Sequence, residues 1–182
     1  IPSNGMAGSN GVSSSRSLRN NNTKIEGLPT KEFAESNFTM QIPNEWTASG
    51  SVDNLPSLPN GEVVLAAVSP EKKYNFSNNI IVISSKLDYI GTSKQYSEQN
   101  NLKTQKKYLE YSLVKSGPII FGDSDEGKYY IFDARYNAQT QKLRFLQTAK
   151  VCGTTVFLLH ASVALDADTG KYIDVFRTFT CK

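Results

Sequence analysis

The pattern of hydrophobic and polar positions is most regular between residues 128 and 165. β-branched and aromatic residues dominate the segments 128–136, 141–151 and 154–165, and short loops with Asn, Thr or Gly separate them. This pattern is typical of hairpins. The third segment is apolar on both of its alternating faces, so we expect it to be a central strand covered on both sides. The stretch predicts an antiparallel meander with at least one helical layer over it.

The same patterning predicts three shorter strands, at residues 38–42, 62–69 and 79–86. Residues 49–60 and the polar residues 70–77 are predicted to be loops. A first helix is predicted from Thr92, with Gln95 completing a weak capping box, to about Val114, where Gly117-Pro118 would soon stop it. Its sparse apolar stripe consists of Tyr96, Leu102, Leu109 and Leu113. A second helix, capped by Asp168 or Thr169, would bury Tyr172, Val175, Phe176 and Phe179. The predicted fold class is α+β, a mainly antiparallel sheet between helices.

Composition and charge limit the kinds of protein that this chain can be. The 182 residues are 38% hydrophobic, enough for one core, and carry a net charge of +3 without basic clusters, which gives nucleic-acid binding little support. Residues 1–31 are rich in Ser, Asn and Gly and predict a flexible polar tether, part of which could derive from cloning. Residues 32–182 then form a single domain. A polar leader suits an exported protein with a membrane anchor, but a bare disordered terminus would look the same.

The segment Phe38-Thr39-Met40-Gln41-Ile42-Pro43-Asn44-Glu45-Trp46 resembles the opening of PsbP-like and DcrB-like domains, in which a strand is followed by Pro-x-x-Trp. The later order of strands, helix, meander and C-terminal helix is also similar to that family. Trp46 itself is expected to fill the core at this corner. The resemblance covers residues 33–182 and implies an α/β/α sandwich. Because no catalytic motif comes with that fold, it carries no functional residue across.

The resemblance implies a non-catalytic accessory or protein-binding domain. Many bacterial members of the family are exported lipoproteins, photosynthetic members assist photosystem II, and a nuclear relative binds the GTPase Ran. We therefore expect an extracytoplasmic domain in the periplasm or cell envelope with a protein partner, which would touch a membrane only through a lipidated N-terminus. A small metal-dependent enzyme, or a metal-binding protein, remains one alternative. An intracellular partner-binding module remains the other.

Two cysteines, Cys152 and Cys181, leave two interpretations open. They are either unreactive thiols or one disulfide between the turn after a strand and the end of the last helix. The bridge would stabilise the domain by roughly 3–4 kcal/mol and indicate an oxidising compartment.

The remaining candidates are acidic and aromatic. Two acidic runs resemble half of a Ca²⁺ loop but lack its closing Glu, so turns and a helix cap compete with metal binding. Their candidate ligands are Asp123, Asp125, Asp166 and Asp168. A partner surface is predicted from aromatic residues on or beside the first helix, namely Tyr89, Tyr108, Tyr111, Tyr129 and Tyr130. His160, the only histidine, is expected to be buried and hydrogen-bonded, and no catalytic residue or other cofactor is predicted.

Overall fold

The computed structural model of the protein describes residue 25, residues 27–50 and residues 61–182. The first strands are β1 (Thr30–Ala34), β2 (Phe38–Pro43), β3 (Thr47–Ser49), β4 (Glu62–Val68) and β5 (Asn79–Lys86). Helix α1 (Ser93–Lys107) follows. Then come β6 (Leu109–Ile120), β7 (Glu126–Arg135), β8 (Leu143–Cys152) and β9 (Thr155–Val163), and finally α2 (Thr169–Arg177) and β10 (Thr180–Cys181).

These strands form two antiparallel sheets. The larger has seven strands in the order β3-β4-β5-β9-β8-β7-β6, and the smaller has the order β1-β2-β10. Strands β7, β8 and β9 form the predicted meander, and β9 lies at the centre because it also pairs with β5 along its whole length. The prediction of an α+β fold with a mainly antiparallel sheet and two helices is confirmed.

The main core lies between the larger sheet, the smaller sheet and α2. Phe38 of β2 stacks on Phe179 at 4.8 Å between ring centroids and also contacts Phe157 of β9. Helix α2 buries Val175 and Phe176, as its spacing predicts, and Asp168 caps it by accepting a hydrogen bond from the Gly170 N–H. The apolar face of this helix therefore closes the core over the sheet.

The first helix is shorter than predicted. It ends at Lys107, Tyr108 is already extended, and Glu110 has a left-handed φ of 54°. Residues predicted to continue the helix instead form β6, and Gly117-Pro118 lies inside this strand rather than at a helix end. A proline is tolerated there because β6 is an edge strand, where an outward N–H is not needed for the sheet. The helical prediction for residues 108–114 was wrong.

The folded domain also begins earlier than residue 32. Strand β1 starts at Thr30 and pairs with β2, and Ile25 is buried in the main core. Residue 25 and residues 27–31 were predicted to be tether, but they contribute to the domain. The rest of the predicted tether, residues 1–24 and 26, and most of the loop predicted at residues 49–60 lie outside the described residues.

Candidate functional site

The connection between β4 and β5 ends in a tight hairpin. Lys73 and Phe76 exchange two backbone hydrogen bonds, of 2.9 and 3.0 Å, so that Tyr74 and Asn75 alone form the loop. Both loop residues have positive φ, 54° and 60°. Such a two-residue loop is a type I′ turn, which favours Asn followed by Gly because both positions need left-handed backbone. Tyr74 therefore occupies a position that is unfavourable for a bulky side chain.

This hairpin forms one wall of a cleft of about 430 Å³. The opposite walls come from the start of β8 and the segment after β9. The cleft is mainly apolar, and its lining includes Tyr74, Phe76, Leu143, Ala164 and Leu165. Phe76 also packs against the second core cluster, which contains Phe132 and Phe145. The floor of the cleft therefore rests on this cluster, while Tyr74 (72% exposed) and Leu165 (43% exposed) lie at its rim.

Three charged side chains lie around this cleft. Lys73 forms an ion pair with Asp166 that joins the hairpin to the segment after β9, and its ammonium also lies over the Tyr74 ring, 5.5 Å from the centroid. The hydrogen bond with Asp166 raises the pKa of Lys73, and the same bond lowers the pKa of Asp166. Lys142, also exposed, makes no ion pair with any described residue. The cleft therefore carries a small excess of positive charge.

A second groove, of about 470 Å³, lies at the Pro-x-x-Trp corner. Trp46 is buried beside it, 5.9 Å from Tyr172 between ring centroids. The Tyr172 hydroxyl accepts a hydrogen bond of 3.0 Å from Asn78, whose own oxygen accepts from the Ala164 N–H. Because Trp46 belongs to the main core, its position is the one expected for a residue that fills the corner.

The carboxylates of the first acidic run pair with a buried lysine. Lys150 is buried, with its side chain 3% exposed, and its ammonium lies 2.8 Å from a carboxylate oxygen of both Asp123 and Asp125. Asp125 also accepts a hydrogen bond of 2.5 Å from Ser93 at the start of α1. Burial alone would raise the pKa of Asp123, but hydrogen bonds from Lys150 and from the Asp125 N–H lower it.

The second acidic run lies at the opposite end of β9. Asp166 pairs with Lys73 and Asp168 caps α2, so neither approaches the first run. Among residues 25, 27–50 and 61–182, no three His, Cys, Asp or Glu side chains are grouped so that they could hold a metal ion. Asp123 and Asp125 share Lys150 as their partner, so the four predicted ligands do not come together, and metal binding at either run stays a prediction.

His160 lies in a polar network beneath α1. The amide nitrogen of Gln147 donates to its Nδ1 at 2.9 Å, so the ring proton is on Nε2, which donates to Ser162 at 3.1 Å. The Gln147 oxygen in turn accepts hydrogen bonds from Asn100 and Thr104 of α1. Burial, with a smaller contribution from the charge of Lys107, lowers the pKa of His160 to about 4. The histidine is thus neutral and structural.

The cysteines form a disulfide, Cys152–Cys181, with Cα atoms 5.7 Å apart. Strand β10 brings Cys181 beside β2, and the Gly153 turn, with φ of 60°, brings Cys152 to the same end of the larger sheet. The bridge therefore ties the C-terminal segment to the meander.

The five predicted partner tyrosines do not form one exposed surface. Tyr129 and Tyr130 are buried, and because they are neighbours in β7 they point to opposite faces of the sheet. Tyr108 and Tyr111 both pack on Phe132 of the second cluster, and burial raises the pKa of Tyr108 above the ordinary range. Tyr89 is exposed but stacks on Tyr96, 4.4 Å away between centroids. Four of these five rings therefore take part in packing around the strands, and their use as a partner surface stays a prediction.

No protein-family model matches the sequence, and no curated protein matches it. Solved structures do match. Cyanobacterial PsbP (CyanoP) from Synechocystis sp. PCC 6803 superimposes with a TM-score of 0.57 at 14% identity, covering 88% of this chain and 96% of CyanoP. The Saccharomyces cerevisiae Ran-binding protein Mog1p superimposes with a TM-score of 0.53 at 11% identity, covering 84% of this chain and 95% of Mog1p.

The chain has the PsbP-like fold. The resemblance to this fold predicted from the Pro-x-x-Trp corner and the element order is thereby confirmed, although nothing in these matches singles out DcrB-like domains. At such low identity the likeness establishes the fold alone. Within the PsbP-like fold, the hairpin cleft of this chain is the candidate functional site.

Sequence reasoning missed the residues of this cleft. The segment 70–77 was predicted only as a polar loop, although Asn75 is a residue that commonly adopts a left-handed turn. Tyr74 beside it gives no sequence signal, because its unusual backbone depends on the pairing of Lys73 with Phe76. The remaining walls come from distant parts of the chain and meet only through the sheet.

Proposed function

We propose that this chain is a non-catalytic, exported protein-binding domain. The observation that carries the protein-binding part is the cleft with the exposed Tyr74 ring at its rim, since aromatic side chains dominate the hot spots of protein interfaces. The fold shared with a Ran-binding protein supports the same class of function. In addition, no buried side-chain nitrogen or oxygen in the described part of the chain lacks a hydrogen-bond partner. His160 and the buried Lys150 are thus engaged in structural contacts and not poised for chemistry.

The disulfide supports export. Disulfides persist mainly in secreted, periplasmic and envelope proteins, because cytosolic reductants keep thiols reduced. No helix among residues 25, 27–50 and 61–182 is long and apolar enough to cross a membrane. We propose a lipid on the N-terminal side of the domain as its attachment to the cell envelope. We take the periplasm or cell envelope as the location that fits the bridge best.

The two helices fit the α/β/α arrangement expected for such a domain. Helix α1 bonds to Gln147 of β8, whereas α2 packs in the core cluster that includes the neighbouring Leu146. Because adjacent strand residues point to opposite faces, we infer that the helices flank the larger sheet. This arrangement would leave the ends of the sheet, and with them the hairpin cleft, open to a partner.

An in-cell thiol assay tests the export half of this proposal. Cells that express the chain are acid-quenched, and free thiols are labelled with a maleimide polymer before and after reduction. We expect labelling only after reduction, with the Cys152→Ser/Cys181→Ser variant as the unlabelled control. Labelling before reduction would favour the alternative, an intracellular partner-binding module like the Ran-binding protein.

Affinity capture tests the protein-binding half. Purified domain carrying a photo-crosslinker at the cleft rim is incubated with envelope and cytosolic fractions of the source cells. We expect one crosslinked protein from the envelope fraction. The matched control carries the crosslinker at the exposed Lys103 of α1, which lies away from the cleft. Equal capture by both proteins, or none by either, would contradict the proposal.

A further inference from the structure

We propose that the hairpin cleft binds a short extended peptide segment of a partner protein that presents an apolar side chain next to a carboxylate. This inference rests on the proposed protein-binding function and names the site and the chemistry that the site recognises. Three separate observations carry it: the lining of the cleft, its charge, and the backbone of Tyr74.

The residues that line the hairpin cleft favour an apolar side chain in the bound peptide. The floor is made of Phe76, Leu143 and Ala164, of which Leu143 and Ala164 are buried. At about 430 Å³ the cleft can accept an aromatic or branched aliphatic group. It is also open to solvent along one side, unlike sites that bury most of a small molecule. A chain that lies across the cleft and inserts one side chain fits this shape better than a free metabolite.

The positive charge around the hairpin cleft favours a carboxylate in the bound peptide. Two lysines and one aspartate line the cleft, and Asp166 already pairs with Lys73. Lys142 remains without an ionic partner among the described residues, so it is the group that an incoming acid would meet. The second groove offers a contrast, since Glu45 and Glu71 outnumber Lys171 along its lining. Of the hairpin cleft and this second groove, the hairpin cleft is the one complementary to an acidic segment.

The backbone conformation of Tyr74 indicates that its side chain has a role in binding. Asn at this turn position would relieve the left-handed strain, yet the chain carries a tyrosine that is 72% exposed and gains little burial. Backbone conformations that cost energy persist mainly at functional sites. The hairpin, held by the ion pair between Lys73 and Asp166, thus presents the Tyr74 ring over the cleft as a contact for the bound segment.

The test uses three sets of synthetic octapeptides added to the ¹⁵N-labelled full chain. The first set carries one Phe or Leu flanked by Asp and Glu, the second replaces the acids with Lys, and the third replaces the apolar residue with Ser. We expect only the first set to shift the amide resonances of residues 73–76, 141–143 and 164–166.

Variants separate the contacts. Tyr74→Asn improves the turn but removes the ring, and should weaken binding about tenfold or more. Lys142→Glu should weaken it about threefold to tenfold, with the loss shrinking at high salt. The matched control Asn75→Gly relaxes the same turn but keeps Tyr74, and should bind like the wild type.

Equal binding of acidic and basic peptides, shifts outside the cleft, or unaltered binding by Tyr74→Asn would overturn the inference. So would the absence of any peptide binding while vesicles with anionic lipid bind at the cleft. If the photo-crosslinked partner is still captured by Tyr74→Asn and Lys142→Glu, the proposed function stands and only this site is wrong. If neither peptide nor partner binds the wild type, both proposals fail.

Discussion

Substitution of Lys150 and substitution of its two aspartate partners should lower the stability of the domain by unequal amounts. The lysine side chain is 3% exposed, whereas those of Asp123 and Asp125 are 37% and 36% exposed. The double substitution Asp123→Asn/Asp125→Asn leaves a buried ammonium without a counter-charge, which typically costs about 3–5 kcal/mol. Lys150→Met instead leaves two carboxylates that water can reach, and places an apolar chain near the Phe121 ring, 5.3 Å from the present ammonium. It should cost about 1 kcal/mol or less.

Urea unfolding at pH 7, followed by circular dichroism, measures this asymmetry. With a slope of about 2 kcal/mol per molar urea, the double substitution should lower the midpoint by about 2 M, and Lys150→Met by about 0.5 M or less. The triple variant should recover most of the loss, because the buried charge is gone. If Lys150→Met is as costly as the double substitution, or if the triple variant is no more stable than the double, burial of the ammonium does not govern this site.

Three further predictions follow from other contacts. Burial holds the folded-state pKa of His160 near 4, below the value of about 6.5 in an unfolded chain. The stability that comes from its neutral form is therefore complete above about pH 6.5. As the pH falls toward 4, the free energy of unfolding should decrease by about 3 kcal/mol in total. His160→Asn, which keeps an acceptor for Gln147, should show a shallower loss in urea titrations across that range, and equal slopes would contradict this. Cys152→Ser/Cys181→Ser, which opens a loop with a sequence separation of 29 residues, should cost about 3–4 kcal/mol and lower the calorimetric melting temperature by about 7–15 °C. An unchanged melting temperature would refute that reasoning. Tyr74→Asn should raise the free energy of unfolding by about 1 kcal/mol through relief of backbone strain, and a clear loss of stability would mean that the ring packs more than its exposure indicates.

Hydrophobic periodicity was sufficient to predict the strands and the helix that have a regular apolar face. Strands β7 to β9 and helix α2 bury regular sets of large side chains, so their patterns determine both the element type and the buried face. The PsbP-like fold could be predicted because the Pro43-x-x-Trp46 corner adds a local signal to that order of elements.

The boundary between α1 and β6 could not be predicted in the same way. Leu102, Leu109 and Leu113 lie at helical spacing and suggest one continuous stripe, yet all three are about half exposed. The buried positions of α1 are all polar: Ser93, Ser97, Asn101 and Thr104. A search for apolar residues at helical spacing therefore identifies the wrong face of α1. The residues around Glu110 do not predict its left-handed backbone, which lies near the start of the edge strand β6.

The candidate site was missed for a related reason. Its walls come from three segments that are distant in sequence, and their approach depends on the register of β5 with β9 and of β8 with β9. The partner of the first acidic run could not be predicted either, because the sequence of such a run does not show which cationic side chain its carboxylates pair with. Lys150 lies 25 residues from Asp125 and could not be assigned to it without the sheet.

The polar contact face of α1 has a thermodynamic consequence for the domain. Exposure of apolar surface raises the heat capacity, whereas exposure of polar surface lowers it. Ser97 donates a hydrogen bond to the Lys128 carbonyl, Thr104 donates to the Gln147 side-chain oxygen, and Asn101 donates to the Tyr111 hydroxyl. Separation of this helix from the sheet would thus have a smaller heat-capacity change than separation of α2. As temperature falls and hydrophobic burial weakens, α1 should keep its attachment while the apolar packing of α2 loses strength.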